Sequence, residues 1–481
     1  MTPDSDPAPR DPTDGAMPPA PDVYVEVDVG VDADVDAGEP EAPPAPLLGL
    51  RDGLPPLTDT PTALAAACAA LADAQGPVAI DAERASGYRY SSRAYLIQLR
   101  RDGAGTFLVD PIGFESLDPL QEALAGGEWI LHAATQDLAC LTEVGLVPAT
   151  LFDTELAGRL LGYPRVGLAT LVETLLGQRM KKEHSAADWS TRPLPEPWLE
   201  YAALDVEVLI ELRDVLAAEL RAAGKDDWAR QEFDALRGFT PAVRQEPWRR
   251  TSGLHRVRGR RLLGAVRELW ETRDELARNR DVSPGRIIGD SAVVAAALAD
   301  PTSRSELLST KGFHGRGAQR YADRWLEALA RARELPEDAL PLRAPRSDGP
   351  PTPRAWAERD PIAAERLTLA RDGMARLSQE HQVPAENLLS PDTVRRVMWQ
   401  PAGDDVATVA GHLRSLGARE WQIELTATML VDAITAASST PSSTVPIGGP
   451  ATGPATGPAT GPATGPATGP ATTGSASQPP D

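Results

Sequence analysis

The chain has 481 residues, enough for two to four domains that each bury a core. It has no apolar run long enough to cross a bilayer, no basic-then-apolar start of the signal-peptide kind, and only Cys68 and Cys140. A membrane protein or disulfide scaffold is therefore not indicated, and a cytoplasmic home is expected. The formal charge of −21 would argue against a nucleic-acid partner if it were spread evenly, but residues 1–50 alone hold 12 acids against one Arg.

Residues 1–54 read as a disordered acidic leader, because Asp, Pro and Gly interrupt the alternating Val from Val23 to Val35. From Leu57 the pattern is α/β. A helix near 61–75 leads through Gly76-Pro77 into VAIDAE, and AYLIQLR (94–100) and TFLVD (106–110) follow as a three-stranded meander. LDPLQEALAG reads as a helix, EWILHAA (128–134) as a buried fourth strand, and QDLACLTEVG as a helix capped by Thr135. Together these predict a mixed sheet covered on both faces.

Leu194 to Gly224 reads as one long helix opened by Pro195 and Pro197 and stopped by Gly224. Trp198, Tyr201, Asp205, Val208 and Leu212 form its core-facing stripe, with Glu200, Glu207, Glu211 and Asp214 on the solvated face. Beyond it, residues 244–261 contain seven Arg and one Glu around Trp248, and amphipathic helices run to Leu335. A Pro-rich linker then precedes a second helical block. Both blocks open with a long helix and a polar turn holding Pro284 or Pro384, so a duplication is expected. From Gly449 to Thr472 the unit Gly-Pro-Ala-Thr repeats six times, which cannot form a core. The resulting units are 1–54, 55–240, 241–338, 355–437 and 438–481.

Asp205 is the anomaly, since a carboxylate on an apolar stripe costs several kcal/mol unless something holds it. Capping or core bridging would suffice if it stood alone. Asp81 and Glu83, at i and i+2 of the first strand, project from one face and repel each other unless a cation lies between them. They also read as two solvated acids at a strand end. Asp137 follows the fourth strand in a helical first turn, where macrodipole compensation is the ordinary use of Asp.

DAE at 81–83, HAATQD at 132–137 and YAALD at 201–205, with FDTELAGRLLG and SAADWSTRPL between them, resemble the DEDD-class 3′→5′ exonucleases that carry a tyrosine in the last motif. Within that class, residues 57–225 resemble the ribonuclease D family. The resemblance implies a ribonuclease H-like mixed-sheet exonuclease domain. It implies Asp81, Glu83, Asp137 and Asp205 as ligands of two divalent cations, Mg²⁺ or Mn²⁺, and Tyr201 as the catalytic tyrosine. Oxygen donors suit those ions better than zinc. Tyr201, with an ordinary pKa near 10, is a poor base, and orienting the attacking water is the role expected of it.

The partner so implied is RNA with a free 3′ end, tRNA precursors being the family's best-known substrate. Single-stranded DNA and a catalytically silent RNA binder are the alternatives. Tyr88 and Tyr90 could stack on a terminal base, while Arg89, Arg93, Lys181, Lys182 and Arg192 could neutralise phosphates. An ordinary solvated loop is an equal reading of residues 84–93. His132, Asp110 and Asp153 are expected to be structural, and His184 stays open. Residues 254–335 resemble an HRDC (helicase and ribonuclease D C-terminal) domain through LWETRDELARNRDVSPGRIIGD, KGFHGRG and ARELP. The Arg-rich lead-in with Arg249 and Arg250 suits nucleic acid. Residues 358–436 resemble a second HRDC-type domain, and a monomer is expected.

Overall fold

The computed structural model describes residues 45–181, 186–242, 244–343 and 349–439. The acidic leader up to residue 44, Lys182, His184 and the repeat tail lie outside the described residues. Residues 45–54, which the sequence places in the leader, belong to the folded body. Leu48 is buried, its N–H bonds the Arg179 carbonyl at 2.9 Å, and Leu47 forms a bridge with Arg179.

Among the described residues, six strands form one sheet in the order β1-β4-β3-β2-β5-β6. These are β1 (Leu57–Thr58), β2 (Val78–Arg84), β3 (Ala94–Arg101), β4 (Gly105–Val109), β5 (Glu128–Leu131) and β6 (Thr150–Asp153). The expected meander is β2, β3 and β4, paired antiparallel, while β1, β5 and β6 add parallel pairings. Alternation along the strands divides the core. Val78, Ile80, Ala82, Ile97 and Leu99 pack with α1 (Pro61–Asp73), α2 (Asp118–Ala123) and α3 (Leu138–Glu143). The other face, with Ala79 and Leu96, packs under α4 (Thr154–Leu161), α5 (Leu168–Leu171), α6 (Glu196–Glu207), α7 (Leu209–Ala222) and α8 (Asp226–Leu236).

The stretch expected as one long helix is therefore two. Val208 leaves helical geometry (φ −114°, ψ 0°), so α6 lies across β2, β3 and β4 while α7 packs on α4 and β5. Glu207 is not on a solvated face either. It is 1% exposed, with Arg100 of β3 at 3.3 Å and Arg51 at 3.4 Å.

The first helical unit comprises α9 (Arg260–Arg280), α10 (Pro284–Ile287), α11 (Asp290–Ala299), α12 (Arg304–Ser309), α13 (Arg316–Arg320) and α14 (Ala322–Glu334). Its core centres on Trp325, Phe313 and Leu269. The second holds α15 (Trp356–Arg359), α16 (Pro361–His381), α17 (Ala385–Leu388), α18 (Pro391–Trp399), α19 (Val406–Ser415) and α20 (Glu420–Ser439). The shared plan extends to the turn itself. Both α9 and α16 run 21 residues and end on a left-handed non-glycine, Asp281 at φ 46° and Gln382 at φ 51°. A four-residue helix follows in each unit.

Both turns dock on the α/β domain. The Gln382 turn meets Gly162 and Lys225, whose buried ammonium donates to the Leu160 and His381 carbonyls at 2.7 and 2.6 Å, at the C-terminal ends of α4 and α16. Trp421 stacks on Trp228 at 4.7 Å and donates to Glu232 at 3.0 Å, so one apolar core runs from β6 into the second unit.

A Cβ at Gly162 (φ +81°) would lie 2.5 Å from the Gln382 carbonyl, whereas one at Gly177 (φ +64°) would meet nothing within 4 Å. Gly162→Ala should therefore lower the thermal unfolding midpoint of the full chain more than Gly177→Ala, which bears only the left-handed backbone cost of about 1–2 kcal/mol. Equal losses would mean that the Gln382 turn yields freely.

Candidate active site

Strand β2 sets out the first two carboxylates. Asp81 pairs in register with Gln98 and Glu83 with Leu96, and Ala82 between them points into the opposite core. α6 crosses that face and brings Asp205 to it. Ligand oxygens of Asp81, Glu83 and Asp205 all lie within 4.8 Å of one another. The ladder shifts register after Glu83, leaving Tyr95 of β3 unpaired, and Arg192 donates to the Tyr95 carbonyl at 2.7 Å.

Asp137 arrives by another route. At the end of β5 the chain turns through Ala133 in a left-handed conformation (φ 57°), runs through a 3₁₀ turn, and reaches Asp137 just before α3. Neither N-cap residue, Ala133 of the turn or Asp137 of α3, caps through its own side chain, and Thr135 is not the cap that the sequence suggests. Asp153 holds the turn instead. Its carboxylate accepts from Ala133 N at 3.2 Å and Ala134 N at 2.8 Å while capping α4 through Glu155 N and Leu156 N. His132 bonds Thr154 Oγ1 at 2.8 Å, and burial pushes it down to about 4, a neutral structural imidazole. Asp137 is buried and pairs with Arg84 at 3.3 Å, standing outside the three-carboxylate cluster.

The electrostatics follow from that crowding. Burial, then Asp81, Asp205 and Asp137, push Glu83 up to about 10. Burial followed by Asp81 raises Asp137 and Asp205 well above the carboxylate range, and burial raises Asp81. These groups cannot all ionise side by side without a cation. The donor set is carboxylate oxygen throughout, which fits a hard divalent ion. Tyr201, one turn before Asp205, hydrogen-bonds that carboxylate. Burial and the acids Asp205, Glu83 and Asp81 raise its phenol above the ordinary range, so it donates a proton rather than accepting one.

Several candidates for nucleic-acid contact are engaged inside the protein. Arg286 lies over the Tyr88 ring at 4.1 Å and donates to the Gly87 carbonyl, and Ser283 N donates to the Tyr88 carbonyl at 2.9 Å. Tyr90 donates to Asp274 at 3.0 Å and accepts from Arg278, and Ser91 N bonds Asp281 at 2.9 Å. The loop read equally as a base-stacking or a solvated segment seats α9 and α10. Arg192 is committed to Asp110 at 2.6 Å, and Asp110 caps the Pro111–Gly113 turn. Arg249 pairs with Glu246 at 2.7 Å and covers Trp248. Arg89 donates to Ser190 at 2.8 Å, and Arg93 lies 5.7 Å from the Tyr95 ring centre. Lys181 and Arg250 are exposed, as are Arg244, Arg256 and Arg258.

Arg84, Arg100 and Gln98 were not singled out from the sequence. Arg84 directly follows DAE, and AYLIQLRR places Gln98 and Arg100 two residues apart on one face, a polar pair in a buried strand. That break in an apolar alternation was the available signal.

Comparison with known proteins agrees with this geometry. Residues 57–221 match a 3′-5′ exonuclease family model, 263–329 an HRDC domain, and 349–434 a 3′ to 5′ exonuclease C-terminal domain. A ribonuclease D from Acidiphilium cryptum is 32% identical, over 77% of this chain and 97% of the relative. A solved protein from Bifidobacterium adolescentis is 37% identical with a TM-score of 0.74, covering 81% of this chain and all (100%) of that one. Escherichia coli RNase D is 26% identical with a TM-score of 0.59, covering 79% of this chain and 98% of that one. With its three motifs gathered around one mixed sheet and an HRDC unit following, the chain belongs to the ribonuclease D family of 3′→5′ exoribonucleases.

Proposed function

We propose that this exoribonuclease trims the 3′ ends of structured RNA, such as tRNA precursors, using two divalent cations held by Asp81, Glu83, Asp137 and Asp205. The convergence of Asp81, Glu83 and Asp205 within 4.8 Å is the observation that carries the reading. Mg²⁺ and Mn²⁺ both suit carboxylate donors. The Escherichia coli relative is described as an exoribonuclease involved in structured RNA processing, which supports the substrate class.

When bound, such ions neutralise the phosphodiester and sharpen the nucleophilicity of water. The chain's own residues do the positioning. Asp81 and Glu83 are held by the sheet, Asp205 by α6, and Asp137 by the turn that Asp153 staples. Tyr201 keeps its proton, and its hydroxyl orients the attacking water beside Asp205. Release of 5′-nucleoside monophosphates follows from attack at the terminal phosphodiester. Lys181, Arg250, Arg244, Arg256 and Arg258 are the exposed cations we assign to the RNA backbone. Tyr88, Tyr90, Arg192 and Arg249 are withdrawn from that role by their internal contacts.

Asp205→Asn should lower hydrolysis of a labelled 3′-ended RNA by at least about 10²-fold while most RNA binding survives. Parental activity in that variant would refute the assignment. Matched RNA and DNA oligonucleotides in the same assay should show faster cleavage of RNA, and a DNA preference would point to the single-stranded DNA reading.

The metal requirement should depend on pH. Glu83, Asp137 and Asp205 all have raised pKa values, so protons must leave before an ion binds. The Mg²⁺ concentration giving half-maximal rate should therefore fall as the pH rises from about 6 to 9. A constant or rising requirement would contradict the carboxylate cluster as the binding site.

A further inference from the structure

Four acids are assigned above, yet they are not equivalent. Asp81, Glu83 and Asp205 converge, while Asp137 stands outside that trio with its carboxylate against a cation of the same strand that carries the first two. Arg84 Nη2 lies 3.3 Å from Asp137 Oδ1, and the two side chains are 28% and 6% exposed. The position follows from alternation. Asp81 and Glu83 face α6, so Arg84 emerges with Ala82 on the side of the 3₁₀ turn and α3. Its Nε is buried without a hydrogen-bond partner among the described residues.

We propose that Arg84 is a built-in counter-ion of the catalytic centre, competing with the divalent cation for Asp137 and thereby weakening its binding. The inference rests on Asp137 being a metal ligand, as assigned above. An ion that arrives at Asp137 Oδ1 must take that oxygen from Arg84, and the lost ion pair is subtracted from the ion's affinity. The same contact offsets part of the repulsion between Asp137 and the acids Asp81 and Asp205. The effect is an occupancy that responds to ion concentration instead of saturating at trace levels.

Calorimetric titration of the full chain with MnCl₂ alone tests this without reference to turnover. Arg84→Met removes the charge, and Arg84→Gln removes it while keeping a donor for Asp137, so one variant remains usable should the other not fold. Each should bind Mn²⁺ on the order of tenfold more tightly than the parent, equivalent to about 1.4 kcal/mol. Parental or weaker affinity in a folded Arg84 variant overturns the proposal. Asp137→Asn separates the two layers. Unchanged Mn²⁺ binding in that variant would remove Asp137 from the ligands and with it the reading beneath. Weakened binding there, with no tightening in the Arg84 variants, would defeat the counter-ion role alone.

Discussion

Mutual repulsion among carboxylates shielded from water is the constraint on which this structure depends. Asp81, Glu83 and Asp205 come within 4.8 Å of one another where burial already penalises their charged forms. A fold with no use for that cluster would disperse it, since each unpaired charge taken from water costs several kcal/mol. Here the surrounding elements enforce it. The strand pleat fixes Asp81 and Glu83, the crossing of α6 fixes Asp205, and Asp153 anchors the left-handed turn that delivers Asp137.

Buried ionic contacts sustain that arrangement on both sides. Glu207, two residues past Asp205, is gripped by Arg100 from β3 and Arg51 from the segment before β1. This ties the end of α6 to the sheet that carries the other acids. Across the strand, Arg84 faces Asp137. The helical units add a third constraint, since the Asp281 turn clamps the loop leaving β2 and the Gln382 turn clamps the end of α4. Each unit thus uses the same left-handed helix end to grip the α/β domain.

What could be read beforehand was what depends on local period. β2, β3 and β4 alternate cleanly between Gly turns, and the acids sit in short motifs whose order is itself informative. β1 was missed because two residues have no periodicity to detect, and β6 because its apolar run is only Leu151-Phe152, shorter than the run that marks β5. The break at Val208 was invisible because a buried Val fits a helical stripe equally well on either side of a bend. Glu207 looked solvated on a helical projection, and its partners Arg100 and Arg51, each over a hundred residues earlier, make it internal. The contacts of Tyr88 and Tyr90 were hidden for the same reason. An exposed aromatic loop and a domain interface look alike until the partner, here Arg286 and Asp274, is in place.

The most direct measurement is anomalous diffraction from crystals of the full chain soaked in Mn²⁺. The account predicts a strong anomalous peak bounded by the carboxylates of Asp81, Glu83 and Asp205, and a second at Asp137 as Mn²⁺ is raised. Crystals that show Mn²⁺ elsewhere and none among those carboxylates would contradict it.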